Sequence, residues 1–208
     1  MSYAIIGAGG IGSFFCAALQ QMCRNRQFGF GAITEQDFVV FDPDVVEASN
    51  LRHQNFTDLD IGALKAAVMS IRYQFNFRPV SFTERYLDDY GGFIIAADNP
   101  VVRKIVYKHC GVYRAKWFID MRSEGRRTAV FTSKETDTDM LLNTLGANPD
   151  SAEGRSCQTE EDTANQVIQL GNMCVAPVGV QILLQIFRKE DYPSCIIDDN
   201  IGGKTLRR

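Results

Sequence analysis

Four short apolar runs punctuate the chain, at residues 3–6 (Tyr-Ala-Ile-Ile), 38–41 (Phe-Val-Val-Phe), 93–97 (Phe-Ile-Ile-Ala-Ala) and 117–119 (Trp-Phe-Ile), with segments of helical period between them. Continuous apolar runs suit strands buried on both faces, and their alternation with helices predicts an α/β Rossmann-like three-layer fold with a mainly parallel sheet. The first helix is expected over residues 13–23, followed by a connection over 24–36 that is longer than such units usually have. A second helix is signalled by Asp60 as N-cap and by Leu64, Val68, Ile71 and Phe75 at helical spacing, with Lys65 beside that stripe. A third opens at Asp98-Asn99-Pro100, with Asp98 available as its cap, and runs to about Gly111.

Beyond the fourth run the pattern changes. The β-prone residues 128–132 follow a charged turn, Glu124-Gly125-Arg126-Arg127, which predicts a hairpin. Residues 133–156 are polar and read as a lid or an inserted recognition segment. Ile168, Met173, Val178, Ile182, Leu183, Ile186 and Phe187 then mark a helix or helix pair closing the core, so the expected C-terminal extension is a β-hairpin followed by helix. This divides the chain into a domain over residues 1–188 and a tail over 189–208, whose Gly202-Gly203 is followed by five more residues.

With 208 residues, 45% of them hydrophobic and 23% charged, the chain can bury one sizeable core. A formal charge of -3 with mixed signs leaves no basic footprint for nucleic acid and no polybasic membrane patch. No apolar run approaches the roughly 20 residues of a membrane span, and the first residues lead directly into a strand, so a cytoplasmic protein is expected. Six cysteines without a C-x-x-C pair indicate neither a zinc ribbon nor a disulfide framework.

The candidate chemistry starts at Gly7-Ala8-Gly9-Gly10-Ile11-Gly12, between the first strand and first helix. Gly7, Gly9 and Gly12 fit G-x-G-x-x-G, in which glycines permit a tight turn and helix N–H groups face an anionic phosphate. Alone, this suits any Rossmann cofactor, NAD included. The second strand ends in Asp42, where an acid meets ribose hydroxyls, and a dense polar series follows: Asp44, Glu47, Ser49, Asn50, Arg52, His53 and Gln54. Such a cluster beside a phosphate loop suits ATP with magnesium, since hard oxygen ligands hold the metal while cations and amides hold phosphate oxygens.

These residues resemble the ubiquitin-activating-enzyme-like (ThiF/MoeB/HesA) family. Its G-x-G-G-[IL]-G, D-x-D-x-V-x-x-S-N-L-x-R-Q, helix lysine and D-N-x-x-x-R elements are matched in order by residues 7–12, residues 42–54, Lys65, and Asp98-Asn99 with Arg103. The segment 171–180 is similar to the family's glycine- and proline-containing closing helix. The resemblance implies ATP-dependent adenylation of the C-terminal carboxylate of a ubiquitin-like or sulfur-carrier protein ending in Gly-Gly, carried out by a homodimer. It further implies that Asp42 binds ribose, that Asn50, Gln54 and Lys65 contact phosphates, that Asp98 holds magnesium, and that Arg103 supports the strand end.

Three departures qualify what the resemblance implies. His53 stands where the family has arginine, while Arg52 fills the preceding variable position. The family's zinc cysteines are missing, with residues 143–156 in their region, so the expected metal is magnesium alone. The family's N-terminal helix, which lends an arginine to the opposite subunit, does not precede the first strand, so that arginine is expected to be absent or to come from elsewhere. Cys157 lies at an expected helix start, which favours a thiolate acceptor for a thioester; Glu160, Glu161 and Asp162 favour the opposite reading of an incidental thiol. Two rivals stand beside adenylation: a non-catalytic, enzyme-like binding subunit and a NAD-dependent oxidoreductase.

Overall fold

The computed structural model describes residues 1–25, 33–124, 127–135, 137–145, 170–199 and 204–207. Its parallel part comprises β1 (Tyr3–Ile6), α1 (Gly10–Arg24), β2 (Phe38–Phe41), α2 (Lys65–Tyr73), β3 (Asn76–Arg78), β4 (Gly92–Ile95), α3 (Pro100–Val112) and β5 (Trp117–Glu124). The rest comprises β6 (Arg127–Thr132), α4 (Thr138–Asn143), α5 (Leu170–Arg188), β7 (Cys195–Asp199) and β8 (Lys204–Arg207).

Among the described residues the strands form one eight-stranded sheet in the order β3-β2-β1-β4-β5-β6-β7-β8. The pairings from β3 to β5 are parallel, and those from β5 to β8 are antiparallel. Ile6 is in register with Phe41 on one side and Ile95 on the other, so β1, β2 and β4 end level with one another. From β1 the chain first winds toward β2 and later returns to the other side as β4. The loops at these strand ends therefore diverge, and the crevice between them is where open α/β sheets bind ligands.

Alternation along the strands sorts the core into two layers. Ile5, Phe38, Val40, Ile94 and Ile119 pack with Phe15, Leu19, Met69, Val180 and Leu183 from α1, α2 and α5. Ala4, Ile6, Phe41, Phe93 and Ile95 pack on the opposite face with Tyr86, Val106, Tyr107 and Leu141. This is the expected three-layer, mainly parallel architecture with a hairpin and helix beyond it. The last apolar segment, read as a helix or helix pair, is over its described residues one helix, α5, that carries Pro177 inside it. By length and composition alone α5 could cross a membrane, contrary to the reading that no run is long enough, and half of its apolar window is buried in the protein.

Three expectations are corrected. Asp60 does not cap α2; it closes the 3-10 turn Asp58–Asp60, accepting from Thr57 N at 2.7 Å, and pairs with Arg72 at 2.5 Å. Leu64 is held in a bridge with Val45, and Val46 N donates to the Ala63 carbonyl at 2.8 Å, so the backbone stays extended until Lys65. The buried face of α2 is consequently Lys65, Ala66, Val68 and Met69, while Ile71 is 84% exposed. Second, residues 76–78 form an edge strand whose three positions are all exposed, so that its one apolar residue, Phe77, marks no core face. Third, the stretch read as a tail contains β7 and β8, which pair with β6 and with each other. Cys157 and half of the segment read as a lid lie outside the described residues; within the other half, α4 is a short helix capped by Asp137, whose side chain accepts from Met140 N at 2.9 Å.

Candidate active site

The glycine loop leaves β1 through a left-handed Gly7 (φ +96°), whose N–H donates to the Phe41 carbonyl at 2.8 Å. A Cβ on Gly7 would lie 2.8 Å from Ala97 N, and one on Gly12 would lie 2.0 Å from the Gly7 carbonyl oxygen. Both glycines are therefore demanded by close backbone approach. α1 starts after Gly9 with no side-chain cap and no acid in its first turn. Its first N–H groups are left to an anion, with the helix dipole favouring negative charge.

Asp42, at the end of β2, is 6% exposed and spends its oxygens on the loops beside it. Oδ2 accepts from Ala8 N at 2.7 Å and Oδ1 from Asp44 N at 2.9 Å. Burial pushes its carboxyl above the ordinary range, against the pull of those two amides and Lys65. Asp42 thus shapes the glycine loop directly, and only its remaining lone pairs are available to a ribose. Lys65, at the start of α2 and 8% exposed, reaches Asp44 at 3.2 Å, so an exchangeable surface carboxylate holds the ammonium at the cleft.

The polar series folds into the 3-10 turn Ala48–Arg52. Asn50 Oδ1 accepts from Glu47 N at 3.0 Å, which leaves its amide nitrogen as the donor for a ligand. Gln54 Nε2 lies 3.3 Å from His53 Nε2, an arrangement that places the ring proton of a neutral imidazole on Nδ1. Burial and then Lys65 hold His53 below its ordinary value, so it is uncharged at neutral pH and does not replace a guanidinium. Arg52 is exposed on the same lip of the cleft.

On the far side, Asn99 rather than Asp98 caps α3, its Oδ1 accepting from Val101 N at 2.9 Å. Asp98 is thereby free of the capping role and lies exposed at the cleft. Arg103 donates to the Asp98 carbonyl at 3.2 Å and to Asp120 Oδ1 at 2.9 Å. Asp120 is fully buried and also accepts from Arg122 at 2.7 Å and from the Tyr107 hydroxyl. Burial would raise its carboxyl, but the two arginines outweigh burial and hold it below the usual range.

Gly7, Gly9, Gly10, Asp42, Asp44, Asn50, Arg52, His53, Gln54, Lys65 and Asp98 line one cleft of about 640 Å³. That volume falls within the range of small-molecule sites. Gly12 stands behind the loop, and Cys157 is outside the described residues. The cleft adds residues that the sequence did not single out for the site: Ser81 beyond β3, and Phe82, Phe41, Ala97 and Val102, which give it an apolar end. Among the described cysteines, burial raises the Cys16 thiol and pushes Cys23 and Cys110 up to about 12, which makes them packing residues.

The sequence matches the ThiF family over residues 1–196. The chain belongs to the ThiF family. Its fold is shared with E. coli MccB with ATP, at 15% identity and TM-score 0.68, covering 100% of this chain and 62% of that one. E. coli MccB with AMPCPP and MccA gives TM-score 0.69 at 15% identity, covering 100% and 63%, and PaaA gives 0.63 at 14%, also covering 100% and 63%. The chain thus spans a little under two thirds of the length of these structures. No curated protein sequence matches it.

The residues of this ThiF-family cleft fit a nucleoside triphosphate. His53 Nδ1, on a cleft-lining residue, is buried without a hydrogen-bond partner among the described residues, and its ring N–H is a donor of the kind a phosphate oxygen accepts from. No group of three metal-ligating side chains occurs among the described residues. A single carboxylate, Asp98, fits magnesium bound largely through substrate phosphates and water, and does not fit an all-protein cage.

Proposed function

We propose that this chain binds ATP and adenylates the C-terminal carboxylate of a protein or peptide partner. The observation that carries the reading is the meeting, in one cleft, of the uncapped α1 N-terminus, Lys65, the Asn50–Gln54 turn and an uncommitted Asp98 at the sheet's reversal point. In the reaction a carboxylate oxygen attacks the α-phosphorus, the bond from that phosphorus to the β-bridging oxygen breaks, and pyrophosphate leaves. The glycine loop holds phosphate oxygens through backbone N–H groups, Lys65 and Asn50 supply further donors, and Asp42 orients the ribose while bracing the loop. Magnesium held at Asp98 would neutralise charge on the phosphates. Positioning and charge stabilisation account for the acceleration, and no protein nucleophile is required for this step.

The partner is proposed to be a ubiquitin-like or sulfur-carrier protein ending in Gly-Gly, with a second copy of the chain completing a homodimer. A short peptide is a second reading, supported by the structure of the similar MccB with MccA. The rival of a non-catalytic binding subunit rests on the neutral His53. Exchange of labelled pyrophosphate into ATP, measured with magnesium against Gly-Gly carriers and short peptides, separates them. Exchange dependent on one partner class supports adenylation and names the class. ATP binding without exchange supports the non-catalytic rival, and NAD binding without ATP binding overturns the nucleotide assignment.

A further inference from the structure

Two polar side chains from different helices are fully buried against the same two pieces of backbone, the glycine loop and the turn bearing His53 and Gln54. Ser13, in the first turn of α1, accepts from Asn55 N through Oγ at 2.9 Å and donates to the Gly10 carbonyl at 3.4 Å. Asn172, in the first turn of α5, donates from Nδ2 to the His53 carbonyl at 3.3 Å. It also presses on Gly10, where a Cβ would come within 2.4 Å of Nδ2. Neither is among the residues lining the cleft.

Downstream, the same turn is clamped to α2. Arg72 donates to the Asn55 carbonyl at 2.7 Å, and Asn55 Nδ2 donates to the Tyr73 hydroxyl at 2.8 Å. Residues 53–55 are thus pinned by backbone on both sides of Gln54, while the His53 and Gln54 side chains face the cleft. Burying a hydroxyl and an amide among apolar neighbours is costly, and Asn172 Oδ1 has no hydrogen-bond partner among the described residues. Packing alone would be better served by apolar side chains; a defined separation between two backbone segments requires directional bonds.

We propose that Ser13 and Asn172 are positioning residues that set the gap between the phosphate loop and the Arg52-His53-Gln54 turn, and so the width of the channel for the polyphosphate. This rests on the ATP reading above. A misplacement of about 1 Å in such a channel costs on the order of 100-fold in rate, so the braces act on turnover without touching substrate.

The test compares the full chain with Ser13→Ala, Asn172→Ala, Ser13→Thr and, as a control, Ile71→Ala on the exposed face of α2. Amide hydrogen exchange is followed without nucleotide, and ATP affinity and the kcat and KM of pyrophosphate exchange are measured on the same samples. Each alanine variant is expected to speed exchange of peptides covering residues 53–55 about tenfold, with β4 unchanged, and to weaken ATP binding about tenfold. Ser13→Thr keeps the hydroxyl and is expected to retain protection and affinity, and Ile71→Ala to match the parent chain. The two braces are tested by separate variants, so misfolding of one leaves the other to decide. Unchanged protection, or ATP affinity within about twofold in a folded alanine variant, would overturn the proposal while the ATP reading stands. A parent chain that binds no ATP overturns the ATP reading, and the channel role with it; altered protection of residues 53–55 would then report a purely structural brace.

Discussion

Asp98 and Asp120 lie at the two ends of one arginine and hold opposite positions in the molecule. Asp120 is fully buried, and both of its oxygens are taken by Arg103, Arg122 and Tyr107. Asp98 gives Arg103 only its main-chain carbonyl and leaves its carboxylate exposed at the cleft. The contrast teaches where chemistry is available in this fold: a saturated carboxylate is scaffold, and an unsaturated one at a strand end is free to act on a ligand.

The largest effect should come from breaking the saturated side. Asp120→Ala removes the buried carboxylate shared by two half-buried guanidinium groups, and urea unfolding should show a loss of about 3 kcal/mol. A loss below about 1 kcal/mol would mean that the arginines find other partners and that Asp120 is not the scaffold pole of the comparison. Asp98→Ala should do the reverse, lowering pyrophosphate exchange about 100-fold while leaving the unfolding midpoint within about 2 °C of the parent chain. A destabilised Asp98 variant with normal exchange would erase the distinction.

A third test sharpens the contrast on the opposite lip, where His53 offers a neutral ring in place of a fixed charge. His53→Arg should raise the exchange rate about tenfold, because a guanidinium is always charged and bridges phosphate oxygens. A lower rate would show that Arg52 already supplies that charge. The smallest effect is expected from pH. His53 and His109, the chain's two histidines, are both held below their ordinary value of 6.5, burial being the first cause for each. Just below pH 6.5 the unfolded chain then binds more protons than the folded one, so stability is fully present above that pH and declines as pH falls toward the folded values. Unfolding curves should show that decline, and His53→Gln and His109→Gln should each flatten part of it.

What the sequence made legible were features whose cause is local. The glycine loop, Asp42 at a strand end and the Asp98-Asn99-Pro100 helix start each depend on neighbours a few residues away, and each lies where its motif implies. Local reasoning failed where distant backbone took over. Asp60 reads as a cap for α2 only while the Val45–Leu64 bridge that delays that helix is unknown. β3, β7 and β8 lie on the flanks of the sheet, and the exposed positions of β3, with Phe77 between Asn76 and Arg78, carry no core pattern. Phe82 and Ser81 enter the cleft because β3 turns the chain back toward it, and no motif records that turn.

The hydrogen bond from Asn172 to His53 spans 119 positions of sequence, and the one from Ala8 to Asp42 spans 34. All four motifs sit within residues 7–103 and the cleft is lined from the same half of the chain, yet the turn bearing His53 is braced from behind by α5. A fragment ending before that helix would retain those four motifs and the lining residues of the cleft, and would lack one brace of its phosphate channel. Nucleotide affinity would then serve as a readout of tertiary completion, reaching its full value when the last long helix has docked on the first.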